Sequence, residues 1–413
     1  MGAGAVIVGT GQAGFQTAAS LRAEGYAEPI MLIGEEPQIP YQRPPLSKGF
    51  ALGQQDFESI ELRPEKFYQD HRINLIAGKR VTQIDRATRH VKLESGEELR
   101  YEKLVLAVGS RNRKLTVKGA ELDGIVYLRS LEEAVVIRDR LKNANAVVVI
   151  GGGFIGLELA AVARTMGKAV TVVEALPRLM SRAVAPMISE FFRELHTSKG
   201  ITVICGATIV AIEGPDGNVR SIALSDGSRW PADLIIAGVG VLPNVELAQG
   251  AGLPVANGIA IDEFLQTDDE NIFAIGDCAE FPCAFAGTRI RLESVQNAAD
   301  QAQHVAATIA GRRSAYKALP WFWTDQFNVK LQMAGISNGH DRTVMRGNAE
   351  FGKFSLFYFK GERLVGIDSL NRPLDHMMGR KLMSAHVPLT PGQAADESFD
   401  LKHLAHTVGA AHH

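Results

Sequence analysis

The sequence predicts an α/β protein with two Rossmann-type nucleotide-binding units and a smaller α+β domain at its C-terminal end, and three observations carry that prediction. A short apolar run opens the chain and meets Gly9-Thr10-Gly11-Gln12-Ala13-Gly14, which leads into helical periodicity. The same device recurs at Gly151-Gly152-Gly153-Phe154-Ile155-Gly156, again between a strand-like run and a helix-like one. Beyond Leu319-Pro320-Trp321 the helical alternation fades and short β-like runs replace it.

Element by element, residues 5–8 form an apolar strand, 11–24 a helix with small residues facing back, and 30–33 a second strand. Residues 81–85 and 90–93 alternate like a hairpin. The continuous apolar run 104–108 has the signature of a strand buried on both faces. The second unit repeats the opening, with strand 147–150, a helix reaching Met166 and strand 170–173. Strands at 259–261 and 272–275 and an Ala- and Gln-rich helix at 294–310 follow. The last part holds expected strands at 331–334, 354–359 and 364–367 and a helix near 376–386. The expected domains are 1–113 with 242–318, 114–241, and 319–413. A chain of 413 residues exceeds one ordinary core, so two or three domains are anticipated.

Composition narrows the function classes. A formal net charge of −2 leaves no excess of Lys and Arg for a phosphate backbone, which argues against nucleic acid. No apolar run reaches the roughly 18 residues of a transmembrane helix, so no membrane span is expected. The first residues lack a basic segment and break at Gly9, which suits a first strand better than a signal peptide. Three cysteines, Cys205, Cys278 and Cys283, are too few for a secreted disulfide scaffold and suit a reducing, cytoplasmic location.

The glycine motifs carry the chemistry. In a GxGxxG between strand and helix, the first glycine allows the turn, the second admits a pyrophosphate to the backbone, and the third packs the helix close. The helix start adds free N–H groups and positive dipole for the phosphates. Glu35 closes the second strand of the first unit, where a carboxylate accepts hydrogen bonds from an adenosine ribose. Glu174 does so in the second unit, where it also repels a 2′-phosphate and favours NADH over NADPH. Arg178 and Arg182 follow closely and could reach a phosphate or pair with surface acids. A third signal, Ile272-Phe273-Ala274-Ile275-Gly276-Asp277, delivers Gly276-Asp277 to a strand's carboxyl end, where ligands of open α/β sheets bind.

Further segments extend the pattern. They are Tyr41-Gln42-Arg43-Pro44-Pro45-Leu46-Ser47-Lys48, Tyr127-Leu128-Arg129 and Gly238-Val239-Gly240-Val241-Leu242-Pro243-Asn244. Glu293-Ser294-Val295-Gln296-Asn297-Ala298 and Leu319-Pro320-Trp321-Phe322-Trp323-Thr324-Asp325-Gln326 complete them. With these, residues 6 to about 404 resemble the oxygenase-coupled, FAD-dependent NADH–ferredoxin reductases, within the glutathione-reductase-like flavoproteins. One departure is Ala107-Val108-Gly109, where such proteins commonly show Ala-Thr-Gly; a hydroxyl contact is lost there.

The resemblance implies FAD on the loop of Gly9, Gly11, Gln12, Ala13 and Gly14, with Glu35 at its ribose and Val81 at its adenine. Arg43, Lys48 and Arg129 meet the flavin side or the pyrophosphate, Asp277 the ribityl chain and Val295 the pyrimidine edge. Lys48 and Glu158 approach the flavin N5, where an ammonium stabilises the charge of the reduced ring. NADH falls to Gly151, Gly153, Phe154, Ile155, Gly156, Glu174, Arg182 and Gly240. Trp321 and Trp323 lie where electrons leave.

Disulfide reductases of this class keep reactive cysteines against the flavin. Residues 35–60 contain none, so electrons must leave the flavin directly for a separate carrier. The resemblance makes that carrier a 2Fe–2S ferredoxin, expected to be acidic, serving a haem-thiolate monooxygenase or a ring-hydroxylating oxygenase. Arg312 and Arg313, with Arg363, Arg372, Arg380 and Lys381, are candidates for its docking patch or for ordinary solvated surface. The alternatives are a rubredoxin reductase or NADH oxidase on the same fold, or a signalling flavoprotein resembling apoptosis-inducing factor. The lack of a basic surface argues against the last.

Overall fold

The computed structural model describes residues 4–407. The first sheet is built on the strand Gly4–Val8, buried at every position, which explains why its sequence is apolar without alternation. Ile30–Ile33 and Ile73–Ile76 extend it in parallel on one side, and Glu98–Leu106 lies on the other. Glu98–Leu106 is a strand of two characters. Its inner half is fully buried and takes Ile272–Ala274 as a parallel neighbour. Its outer half alternates between buried and exposed, pairing antiparallel with the hairpin of Val81–Asp85 and His90–Leu93. The expected run 104–108 is thus the end of a longer strand, and it stops at Leu106.

The second sheet repeats the plan in the order Thr202–Cys205, Ala169–Glu174, Ala146–Ile150, Leu234–Ala237, Ile125–Val126, all parallel. The chain returns to the first sheet through Ile272–Ala274, so the first nucleotide unit is discontinuous in sequence. Helix Val295–Ile309 then packs against helix Gln12–Ala23, with Ser294 capping its start through the Asn297 N–H (3.3 Å).

The C-terminal part is a five-stranded antiparallel sheet in the order Trp321–Gln326, Val329–Gly335, Arg363–Leu370, Lys353–Lys360, Arg342–Asn348. Two of these strands, Trp321–Gln326 and Arg342–Asn348, were not anticipated from the sequence. The first begins directly after Pro320, which masked it as a break; the second is an edge strand whose exposed polar residues hide its period. The last long helix runs Pro373–Ser384, starting earlier than expected because Pro373 supplies a pre-set first turn. The first unit has a main core of its own, whereas buried residues of the second share one with Val329, Leu331, Phe354, Leu356, Tyr358 and Leu370 of the C-terminal sheet, which Ala51 of the first unit also joins. Among the described residues no helix is long and apolar enough to cross a membrane.

Candidate functional site

The first glycine loop has the geometry its spacing demands. Gly9 sits at φ +116°, and a Cβ there would lie 2.2 Å from the Ala107 carbonyl oxygen. A Cβ on Gly14 would lie 1.8 Å from the Gly9 carbonyl oxygen, so only glycine lets the helix come this close to the strand. Gly11 has open space instead, and as N-cap it offers no side-chain cap. The first N–H groups of Gln12–Ala23 therefore face an open approach, a fit to a dinucleotide phosphate.

Around this loop the fold assembles a ring of charges. Arg129 Nη2 (3.0 Å) and the Ser110 hydroxyl (2.9 Å) both donate to Asp277 Oδ2. The turn Gly276–Cys278 that carries Asp277 lies against Ala13, and the Gly276 N–H donates to Gln301 Oε1 (2.7 Å). Arg43 is held by Glu36 (2.5 Å) and by the Arg129 carbonyl. Tyr41, whose phenol burial pushes well above its usual range, donates to Glu36 and accepts the Leu131 N–H (2.9 Å). Glu36, Ser110 and Gln301 were missed by sequence reasoning, and only for Glu36 was there a signal, its place beside Glu35; Tyr41 stood in a recognised segment but was given no role. Glu35 itself is two-thirds exposed, with Arg80 3.7 Å away, and Val81 is buried at the start of its hairpin.

Lys48 follows the short turn Pro44–Ser47, and its Nζ lies 2.8 Å from Glu158 Oε2. Glu158 is buried in helix Phe154–Thr165 and takes further hydrogen bonds from Ser47 and, at 2.7 Å, from Thr324. Lys48 also lines a cavity of about 220 Å³ with Gln12, Val295 and Trp323, four residues far apart in sequence. Trp323 and Trp321 part company here. Trp321 lies outside that lining, under the Arg380 guanidinium (4.3 Å) and beside His376 (5.7 Å).

The second glycine loop repeats the first. Gly151 has φ +103°, and a Cβ on Gly156 would lie 2.2 Å from the Gly151 carbonyl oxygen. Gly153 has open space around it, Ile155 is exposed, and Phe154 packs on Phe322 (4.8 Å). Gly240 is exposed at the far side of the loop, and its carbonyl accepts the Arg113 N–H (3.0 Å). Glu174 turns back on the loop and accepts the N–H groups of Gly152 (2.6 Å) and Leu176 (2.8 Å). Arg178 is spent internally on the Val184 and Ser181 carbonyls and the Ser189 hydroxyl, which removes it as a phosphate ligand. Arg182 is exposed.

Charges read from sequence as a docking patch are partly engaged elsewhere. Arg372 binds Asp375 (2.5 Å) and Glu397 (2.7 Å), Arg312 binds Glu24, and Arg313 stacks on Phe264 (3.9 Å). Arg380 lies over Trp321, and Arg363 and Lys381 are exposed. All three cysteines are free, and burial pushes the Cys278 thiol up to about 11, so it is an inert core residue.

Two sheets with paired glycine loops, and a Lys48–Glu158 ion pair beside a cavity lined by the first unit and the C-terminal strand, define an oxidoreductase that holds two dinucleotides. Residues 4–302 match the pyridine nucleotide-disulphide oxidoreductase family, and residues 321–405 match the reductase C-terminal family. The chain belongs to the pyridine nucleotide-disulphide oxidoreductases, and it uses FAD and a nicotinamide dinucleotide. It is 48% identical to rhodocoxin reductase of Rhodococcus erythropolis over 397 residues, covering 96% of this chain and 93% of that protein. The ferredoxin reductase for the CYP199A2 system of Rhodopseudomonas palustris superposes with a TM-score of 0.96 at 48% identity, covering 98% of this chain and 100% of that one. The reductase in the covalent putidaredoxin reductase–putidaredoxin complex gives 0.95 at 40% identity, covering 99% of each chain.

Proposed function

We propose that this chain oxidises NADH and delivers electrons one at a time to an acidic 2Fe–2S ferredoxin of an oxygenase system. The observation that carries the reading is the Lys48–Glu158 pair at a cavity where a disulfide reductase would need cysteines. Residues 1–113 with 242–318 form the FAD part, 114–241 the NADH part, and 319–413 the C-terminal domain. Gly9, Gly11, Gln12, Ala13 and Gly14 take the FAD pyrophosphate. Glu35 and Val81 hold its adenosine end, Arg43, Arg129 and Asp277 the chain between, and Val295 the ring edge. Gly151, Gly153, Phe154, Ile155, Gly156, Glu174, Arg182 and Gly240 receive NADH. Bound FAD supplies the exchange between a hydride donor and one-electron acceptors. Lys48 supplies positive charge where the reduced ring needs it, Glu158 keeps that ammonium in place, and Trp323 covers the cavity on the outer side. The similarity to reductases named for ferredoxin-type carriers supports the choice of acceptor. The three free cysteines suit the cytoplasm.

Steady-state assays across a salt series, beside stopped-flow reduction by NADH, test the reading. The half-buried Arg380 over Trp321, with other surface cations, would steer an acidic carrier, and salt screens such charges beyond about 8–10 Å. The carrier's KM should rise several-fold with salt while reduction by NADH stays nearly constant. Faster turnover with rubredoxin, or rapid NADH consumption with oxygen alone, would replace the ferredoxin by that acceptor.

A further inference from the structure

Strand Trp321–Gln326 serves two places by simple alternation. Trp323 and Asp325 reach the cavity, while Phe322, Thr324 and Gln326 point into the second nucleotide unit. On that inner face lies a row of polar groups with no exposure at all. The Thr324 hydroxyl donates to Glu158 Oε1 (2.7 Å), and Gln326 Nε2 donates to Thr324 Oγ1 (3.4 Å). Gln326 Oε1 faces His196 Nε2 at 2.8 Å. Burial lowers the His196 pKa, which keeps the imidazole neutral, and the facing carbonyl oxygen places its proton on Nε2. Every hydrogen bond in the row then donates toward Glu158.

The two oxygens of Glu158 are therefore served from different parts of the chain. Oε2 meets Ser47 and Lys48; Oε1 meets Thr324. A buried carboxylate oxygen stripped of its only donor is costly, so the carboxylate would swing and take the Lys48 contact with it. We infer that Thr324 and Gln326 are positioning residues by which the C-terminal domain holds Glu158 against Lys48 and so tunes the charge presented to the flavin. The inference rests on the proposed role of the Lys48–Glu158 pair.

The test uses the flavin-loaded protein and its midpoint potential, a readout that a purely structural residue would not move. Thr324→Val keeps the shape and removes the donor. With Glu158 turned away, the Lys48 charge is less compensated and the reduced ring is favoured. The potential should rise by about 30 mV, a tenfold change in a two-electron equilibrium. Thr324→Ser should return it to the wild-type value, and Gln326→Leu should move it the same way by less. A wild-type potential in Thr324→Val, or no rescue by Ser, overturns the inference. Lys48→Met separates the two claims: if it shifts the potential while Thr324→Val does not, only the positioning role fails. If Lys48→Met changes nothing, the proposed role of the pair fails first.

Discussion

The two glycine loops share one backbone design. Gly9 and Gly151 share a positive φ, and a Cβ on either would strike a carbonyl oxygen of the neighbouring strand, at 2.2 and 2.3 Å. The surroundings differ. The first loop is ringed by side chains locked to one another, Arg129 to Asp277 and Arg43 to Glu36, from segments distant in sequence. The second has few such groups, and its acid, Glu174, is folded onto its own loop. A dense charge ring suits a cofactor that stays; a loop that organises itself suits a coenzyme that comes and goes. On the proposed assignment, the shared backbone would set the kind of ligand, and the surrounding side chains how long it remains.

The largest expected effect tests this directly. Gly9→Ala should yield protein without flavin, because the added Cβ meets backbone that cannot move aside. Gly151→Ala should yield yellow protein that NADH no longer reduces. Flavin absorbance after purification and stopped-flow reduction separate the two; loss of flavin in Gly151→Ala with retention in Gly9→Ala would reverse the assignment.

A second test uses the C-terminal sheet, whose buried residues share a core chiefly with the second unit. Asp368, fully buried with the Tyr358 hydroxyl 2.6 Å away, is raised by burial from 3.8 to about 7. Its folded pKa exceeds the unfolded one, so its contribution is complete below about pH 4 and is lost as pH rises through 7. That loss is at most about 4 kcal/mol. Asp368→Asn should therefore raise Tm at pH 8, with the gain shrinking toward pH 5. A gain independent of pH would show that Asp368 is not the titrating group.

The smallest effects concern the strand-end acids. Wild-type protein should prefer NADH over NADPH by at least about tenfold in kcat/KM, roughly 1.4 kcal/mol. Glu174→Ala should narrow that ratio and weaken both coenzymes, since two loop N–H groups lose their acceptor. Glu35→Ala, at an exposed position, should cost flavin affinity less than Glu174→Ala costs NADH. Wild-type preference for NADPH would instead make Arg182 a phosphate ligand.

Much of the fold was legible because its signals are local. A buried parallel strand is a continuous apolar run, and a glycine loop must follow it at fixed spacing, so both nucleotide units could be placed from residues near in sequence. The edge strand Arg342–Asn348 was not legible, because its pairing with Lys353–Lys360 hides only one side of it. Of the site, the motif roles were readable, while Glu36, Ser110 and Gln301 were not, and Tyr41 and Thr324 stood in recognised segments without a readable role. Each is an ordinary polar residue that matters only through a partner supplied from elsewhere.

The sequence by itself determined two dinucleotide loops, the acid ending each second strand, and the absence of cysteines from residues 35–60. These follow from backbone sterics and side-chain chemistry, which act over a few residues. Only the tertiary structure decided that Lys48 and Glu158 meet, that Trp323 lines the cavity while Trp321 does not, and that Arg178 and Arg372 are spent on internal contacts. A long side chain has many reachable partners. Which one it takes depends on how separate elements pack, and no short stretch of sequence encodes that.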